Sequence, residues 1–346
     1  MDRTEYRDRL LSLKGKTIAV VYIFEGENAK GFEHYHIWKS KVISRWLNAI
    51  EEIGCKPYII DVREFVNKAM NNTLPDIDYV LNLNCGSKEL CSMSLVPSSC
   101  SFLSVPCIPC NSSTIVLGEN KQTSNHIARA MGLNVPKNME EPSDNAIFRP
   151  RNFGSSCGIT KGKRTNIKST ELYQEFINGY DVTFPILYNP LKERLDFLPG
   201  VLYMPYSKNP QWYFGEKEKT GNKTFENYPL YKISIAAQEK LLCFAEAFPI
   251  ETYGRIDVRI KSDEKELTLD ICQQEIQFED IFFVEINPMP TVKLNNAFFF
   301  AFNNIIEQND FYKCLQLQKD LYKTVDVNSF LLTNSMIAYQ NTTTMS

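Results

Sequence analysis

Several things are scarce or missing in this chain, and each absence excludes something. No hydrophobic run approaches the roughly 20 residues needed to cross a bilayer; AFFFAF (297–302) is far too short. The first residues, MDRTEYRDRLLSLKGK, are charged and have no apolar h-region, so a secretory signal is not expected. There is no excess of cations: the net charge is −3 with acids and bases interspersed, which gives no nucleic-acid footprint. Internal repeats and low-complexity blocks are absent. Only three histidines occur, His34, His36 and His126. Five of the ten cysteines fall between Cys85 and Cys110, but their spacing is wrong for a thiolate zinc site. A cytoplasmic protein with reduced, mostly buried cysteines is the expectation. Neither a Walker A sequence nor GxGxxG is present.

What is there supports a large core, since 43% of the 346 residues are hydrophobic and 12% aromatic. Two or three domains follow from the length. TIAVVYI (17–23), PYIIDV (57–62) and DYVLNLN (78–84) read as strands, and SKVISRWLNAIEEIG (40–54) as an amphipathic helix closed by glycine. Near-continuous apolar strands alternating with helix predict a parallel sheet covered on both faces, an α/β unit of the doubly wound type. Further along, the pattern predicts a helix over 120–136, a strand over 145–150, a polar helix around 169–178 and a strand over 182–188. Strands over 200–206, 253–260 and 281–290 follow, with helices over 235–248 and 310–323. A polar tail over 331–346 completes the expected organisation.

Two of those strands carry charge in an unusual way. In YGRIDVRI (253–260) Arg255 and Asp257 are two apart, and in FFVEINPMP Glu285 and Asn287 are two apart. Residues two apart on a strand share a face. If the strands are neighbours, an arginine, two carboxylates and an amide oxygen converge. Such hard oxygen ligands suit Mg²⁺ rather than zinc, and an arginine beside them can bind a transferring phosphate or a developing oxyanion. Two solvated polar faces are the alternative. In RPRNFGSSCGITK (149–161) a Gly/Ser loop offers successive backbone N–H groups, with Arg149 and Arg151 close by. Successive N–H groups of this kind wrap phosphate; an ordinary turn is again the alternative.

In order and spacing these segments resemble the ATP-grasp ligases of the D-alanine–D-alanine ligase branch, from about Ile108 to Thr291. GRIDV and VEIN are similar to the strand pair with the catalytic arginine and metal ligands. RPRNFGSSCGITK resembles the phosphate loop K-P-x-x-x-G-S-S-x-G. ENKQTSNHIARAMGLNVP resembles the segment that opens with an ATP-contacting lysine, and YQEFINGYDVT the adenine hinge ending in G-x-E-[FYV]-T. The resemblance implies an ATP-grasp fold, α/β overall and α+β in the nucleotide-binding part, behind an N-terminal doubly wound pre-ATP-grasp domain. It implies domains over 1–112, 113–187 and 188–330. It implies ATP and Mg²⁺ (or Mn²⁺), with Asp257, Glu285 and Asn287 as metal ligands and Arg255 steadying the acyl phosphate. Lys121, Arg149, Ser155 and Ser156 would contact phosphates, Gln174, Glu175, Phe176 and Ile177 would line adenine, and Asp181 would hold ribose. Lys217 or Lys219 would reach the γ-phosphate from the covering segment.

The other half of the site departs from the branch. Arg149 replaces its lysine. EGENAKGFEHYHIWKSK (25–41) lacks the amine-binding glutamate, leaving Glu33, His34 and His36 as substitutes. NLNCGSKELCS (82–92) lacks H-G-x-x-G-E-D-G, with only a displaced Glu89. Pro288-Met289-Pro290-Thr291 stands where P-G-[MT] is expected, and Asn295 and Asn296 lie near the second substrate's place. Residues 261–280 are longer than the usual hairpin and suggest an extended hairpin or flap. The expected activity is therefore ATP-dependent joining of an amino acid or small carboxylate to an amine. Loading of a carrier-protein thiol and D-alanyl-D-alanine synthesis are the alternatives within that chemistry. A nucleotide-binding module without turnover and an acyl-transfer enzyme using Cys157 are the competing classes. No nucleic-acid or membrane partner is expected; a homodimer is what the resemblance to the branch implies.

Overall fold

The computed structural model describes residues 1–24, 38–86, 92–152, 154, 156, 158–164, 166, 168–215 and 223–343. Glu33, His34, His36, Glu89, Ser155, Cys157, Lys217 and Lys219 lie outside these residues. After α1 (Arg3–Ser12), the N-terminal sheet is built from β1 (Thr17–Tyr22), β2 (Lys56–Asp61), β3 (Tyr79–Asn82) and β4 (Cys107–Ile108). The strands run parallel in the order β2-β1-β3-β4. Successive residues of β1 feed two different cores: Ile18 and Val20 pack with Trp46 and Ile50, Ala19 and Val21 with Phe65 and Val96. These partners come from α2 (Ser40–Glu52), α3 (Val62–Met70) and α4 (Leu95–Leu103). That two-sided burial is why β1 reads as an unbroken apolar run.

Next come α5 (Ser112–Glu119) and α6 (Lys121–Ala130), capped by the Asn111 and Asn120 side chains. A three-stranded sheet follows in the order β6-β5-β7, made of β5 (Ala146–Pro150), β6 (Thr160–Lys161) and β7 (Glu171–Glu175). Here the expected polar helix around 169–178 is wrong. Residues 171–175 pair with β5, and Tyr173 stacks on Phe148 at 4.3 Å between ring centroids. Five residues of mixed polarity have too short a period to separate helix from strand, and the neighbouring backbone decides.

The third sheet runs β11-β10-β8-β12-β13, with β9 on β8, and all its pairings are antiparallel. Its members are β8 (Gly179–Asn189), β9 (Arg194–Phe197), β10 (Gly200–Pro205), β11 (Phe225–Leu230), β12 (Tyr253–Lys261) and β13 (Ile281–Asn287). A boundary at 187/188 would cut β8, so the division between the two later sheets lies at Gly179 instead. One face is covered by α7 (Ile235–Ala247), whose Leu241 and Phe244 pack with Ile256, Val258 and Phe283. Residues 262–280 form no extended hairpin: two short 3₁₀ turns, Leu269–Cys272 and Phe278–Asp280, replace it. Leu267, Ile271 and Ile276 tie this stretch into the same core.

Gly179 starts β8 with φ +139°, and a Cβ there would stand 1.9 Å from Ile260 O. Gly179→Ala is therefore expected to destabilise the fold by about 3 kcal/mol or more, through strain and displaced backbone. A lowered urea midpoint with an unchanged slope would show it.

The chain ends with α8 (Ala297–Asn303), α9 (Tyr312–Leu321) and α10 (Val327–Thr343). The expected polar tail over 331–346 is wrong for most of its length. Phe330, Leu331, Leu332, Met336 and Ile337 of α10 are fully buried in the N-terminal core cluster. Several of its polar groups find partners inside, whereas the amide nitrogens of Asn328 and Asn334 are buried without one among the described residues. Tyr6 of α1 donates to Asn334 Oδ1 at 2.8 Å, and Gln318 of α9 donates to the same oxygen at 3.2 Å. Thr333 and Ser335 hydroxyls donate to carbonyls one turn earlier, Ser329 O at 2.9 Å and Leu331 O at 2.7 Å. No described helix is long and apolar enough to cross a membrane.

Candidate active site

The polar face of the third sheet holds the site. On β12, Ile256, Val258 and Ile260 turn into the core, so alternation leaves Arg255, Asp257 and Arg259 on the opposite face. In the register, Arg255 faces Asn287 and Asp257 faces Glu285 on β13. On the other side Asp257 faces Thr183 and Arg259 faces Asp181 on β8. The four polar residues of the two strand motifs thus stand on adjacent strands.

Each oxygen of Asp257 has a fixed donor. Thr183 donates its hydroxyl to Oδ1 at 2.6 Å, and Tyr203 in turn donates to Thr183 at 3.3 Å. Arg255 reaches Oδ2 through Nε at 3.1 Å and Nη2 at 3.0 Å. Glu285 pairs with Lys121 Nζ at 3.3 Å. Burial pushes Glu285 up, but Lys121, Arg149 and Arg255 outweigh it and bring its carboxyl down to about 2. For Asp257 the balance is reversed: burial, with Glu285 opposite, raises it despite Arg255 and Thr183.

A bulge connects this face to the three-stranded sheet. The β12–β13 register shifts after Asp257, which leaves Val284 without a partner on β12. Its carbonyl accepts from Arg149 Nη1 at 3.0 Å, while Arg149 Nη2 donates to Gln174 Oε1 at 2.7 Å. Gln174 closes the chain by donating to Pro136 O at 3.1 Å. Arg149 is thus a buried two-armed tie between β13 and the hinge, a geometry lysine lacks. Arg149→Lys leaves one buried acceptor without its donor and is expected to cost about 1–3 kcal/mol in stability. Denaturant titration measures it.

In the loop that follows, Ser156 and Gly158 have φ +58° and +72°, and a Cβ on Gly158 would stand 2.9 Å from Pro150. In the hinge, Glu175 Oε1 accepts from Lys137 N at 2.9 Å. The Phe176 ring has Lys161 Nζ at 3.9 Å and the Arg259 guanidinium carbon at 4.6 Å from its centroid. Asp181 accepts from Phe214 N at 2.7 Å and pairs with Arg259 Nη1 at 2.9 Å. Asn296 caps α8 through Phe299 N and donates to Thr291 O, so both ends of its amide are occupied within the chain; Asn295 beside it is exposed with φ +63°.

Thr183, Arg259, Lys161 and Tyr203 belong to this site, and none is among the candidates named from sequence. Thr183 and Arg259 had a signal: each lies two residues beyond a named one, Asp181 and Asp257, on the same strand face. Tyr203 had none, because its place depends on the β8–β10 pairing. Of the described cysteines, Cys55, Cys100, Cys107, Cys110 and Cys314 are buried as expected, Cys85 and Cys272 are partly buried, and Cys243 is exposed. Among the described residues no group of three or more His, Cys, Asp and Glu side chains could hold a metal. Asp257, Glu285 and Asn287 offer two carboxylates and an amide oxygen instead. That donor set suits Mg²⁺, which takes few protein ligands and keeps sites for phosphate and water. Asn287 Oδ1 is steadied by Met289 N–H at 3.2 Å.

No family model matches the sequence, and no curated protein is similar to it in sequence. Solved structures do match. The D-alanine–D-alanine ligase of Bacillus anthracis complexed with ATP superposes with a TM-score of 0.63 at 12% identity, over 96% of this chain and 100% of that one. This is the ATP-grasp ligase fold. The VanG D-Ala:D-Ser ligase of Enterococcus faecalis matches with a TM-score of 0.55 at 14% identity, over 94% and 100%. The D-alanyl-alanine synthetase A of Vibrio cholerae gives 0.58 at 12%, over 89% and 98%. The ATP-grasp architecture thus spans nearly the whole chain.

Proposed function

We propose that the chain is an ATP- and Mg²⁺-dependent, ADP-forming ligase that joins a carboxylate to an amine. The observation that carries this reading is the interlocked set Lys121–Glu285 and Arg255–Asp257–Thr183 on one sheet face. Two opposed carboxylates held by fixed donors, amid three cations, suit phosphoryl transfer better than a solvated surface. Nucleotide binding alone does not call for Arg255 beside them.

In this reading the first sheet and its helices form the pre-ATP-grasp domain, and the two later sheets form the nucleotide cleft. The hinge residues Gln174, Glu175, Phe176 and Ile177 line the base, and Asp181 holds the ribose. Lys121 and the loop with Ser155 and Ser156 bind phosphates; Lys217 or Lys219 closes over them. Arg149 holds Gln174 in place and adds positive charge. Asp257, Glu285 and Asn287 would hold Mg²⁺, which when bound neutralises charge between the β- and γ-phosphates. The carboxylate oxygen attacks the γ-phosphorus and the bond to ADP breaks, giving an acyl phosphate. The amine then attacks the acyl carbon, phosphate leaves, and the amine's proton passes to solvent. Arg255 stays charged throughout and stabilises the anionic tetrahedral intermediate between these steps.

The donor is an amino acid or small carboxylate, and the amine-binding half differs from that of the branch. ADP release from full-length protein with Mg-ATP, against L- and D-amino acids singly and in pairs, tests the reading. Release that requires one amino acid or one pair, with a matching amide in the mass spectrum, is expected. ATP binding without release under any pair would sink it.

A further inference from the structure

Arg259 takes no part in the chemistry above, yet it is the most completely bonded side chain of the site. Its guanidinium has five N–H donors, and five acceptors surround them. Nε donates to Ile177 O at 2.5 Å. Nη1 donates to Trp212 O at 3.1 Å and pairs with Asp181 Oδ1 at 2.9 Å. Nη2 donates to Gly179 O at 2.8 Å and to Pro210 O at 3.1 Å. The group is buried and its planar face lies by Phe176. These acceptors come from three segments: the hinge at 177–179, Asp181 on β8, and residues 210–212. The last segment is tied back once more, because Phe214 N donates to Asp181 Oδ2 at 2.7 Å.

A single ion pair with Asp181 would need one arm of an arginine. Four backbone carbonyls from two separate segments need the whole fork, and lysine with its compact ammonium cannot span them. We infer that Arg259 is a positioning residue for the nucleotide, joining the hinge, the ribose acid and residues 210–214 into one preorganised wall. This rests on the nucleotide reading of the cleft. A preformed wall raises affinity by removing the cost of ordering it on binding. Trp212 sits in that wall, in ring contact with Phe214 and Phe225, so its emission reports on it.

The test uses full-length protein, calorimetric ATP binding and tryptophan emission, with Trp212→Phe assigning the signal. The wild type is expected to bind ATP with a change in Trp212 emission. Arg259→Lys is expected to bind about tenfold more weakly or worse, and to lose the emission change even at saturating ATP. A merely structural role would lower the melting temperature and leave Kd, measured well below it, unchanged; that result overturns the inference and leaves the nucleotide reading intact. Asp181→Asn keeps the four carbonyl bonds and is paired with Arg259→Lys in a double-mutant cycle; where Arg259→Lys does not fold, Arg259→Gln takes its place. Its weakening is expected to be non-additive with Arg259→Lys. Strict additivity would overturn the inference. If the wild type binds no ATP, the nucleotide reading falls and the inference with it.

Discussion

Asp257→Asn is expected to lower ADP formation by about 10²–10³-fold while ATP binding changes by less than about tenfold. The substitution keeps the side chain's shape, so Thr183 can still donate to the remaining oxygen. What goes is the charge that opposes Arg255 and stands across from Glu285. The new amide would also turn N–H toward the guanidinium, which has no acceptor to offer. The fold should survive, because neither sheet pairing nor the apolar face of β12 is touched. Turnover and calorimetry on the same preparation check both halves; turnover within about threefold of wild type would remove Asp257 from the chemistry.

Truncation after Asp326 is expected to leave no stable fold. It removes Phe330, Leu331, Leu332, Met336 and Ile337, all fully buried. At about 1.5–3 kcal/mol for each side chain, their loss amounts to roughly 10 kcal/mol, comparable to the whole stability of a typical domain, about 5–15 kcal/mol. It also strips Tyr6 and Gln318 of the Asn334 oxygen to which both donate. Circular dichroism melting is the check. A cooperative transition within a few degrees of the full chain would mean that α10 is not part of the core.

The misread tail shows what a sequence hides. α10 carries Ser329, Thr333, Asn334 and Ser335 among its apolar residues, and such a mixture reads as solvated. The three hydroxyls donate to nearby backbone carbonyls, and the Asn334 oxygen accepts from α1 and α9, from more than 300 residues away in the case of Tyr6. One local signal existed: Asp326 and Ser329 cap the start reciprocally, at 2.8 and 2.9 Å, a spacing akin to a capping box. β1 was legible for the opposite reason, since two-sided burial writes itself into consecutive residues.

Within the site the same division holds. Alternation on single strands exposes Arg255 with Asp257 and Glu285 with Asn287. Lys121 and Glu285 are far apart in the chain, and only the segment order of the ATP-grasp resemblance links them. The Arg149 tie was not readable at all: it depends on a bulge at Val284, which no residue in VEIN announces. Arg259 was one step further along an argument already made, and four of its five acceptors are backbone carbonyls, which carry no sequence signature.

The central claim is an acyl phosphate, and its oxygen can be followed. Once a donor is found, its carboxylate is labelled with ¹⁸O and turned over with Mg-ATP and the amine. The account predicts ADP, with one labelled oxygen in each released phosphate, because the attacking carboxylate oxygen leaves with phosphorus. Unlabelled phosphate, or AMP with pyrophosphate in place of ADP, would contradict it.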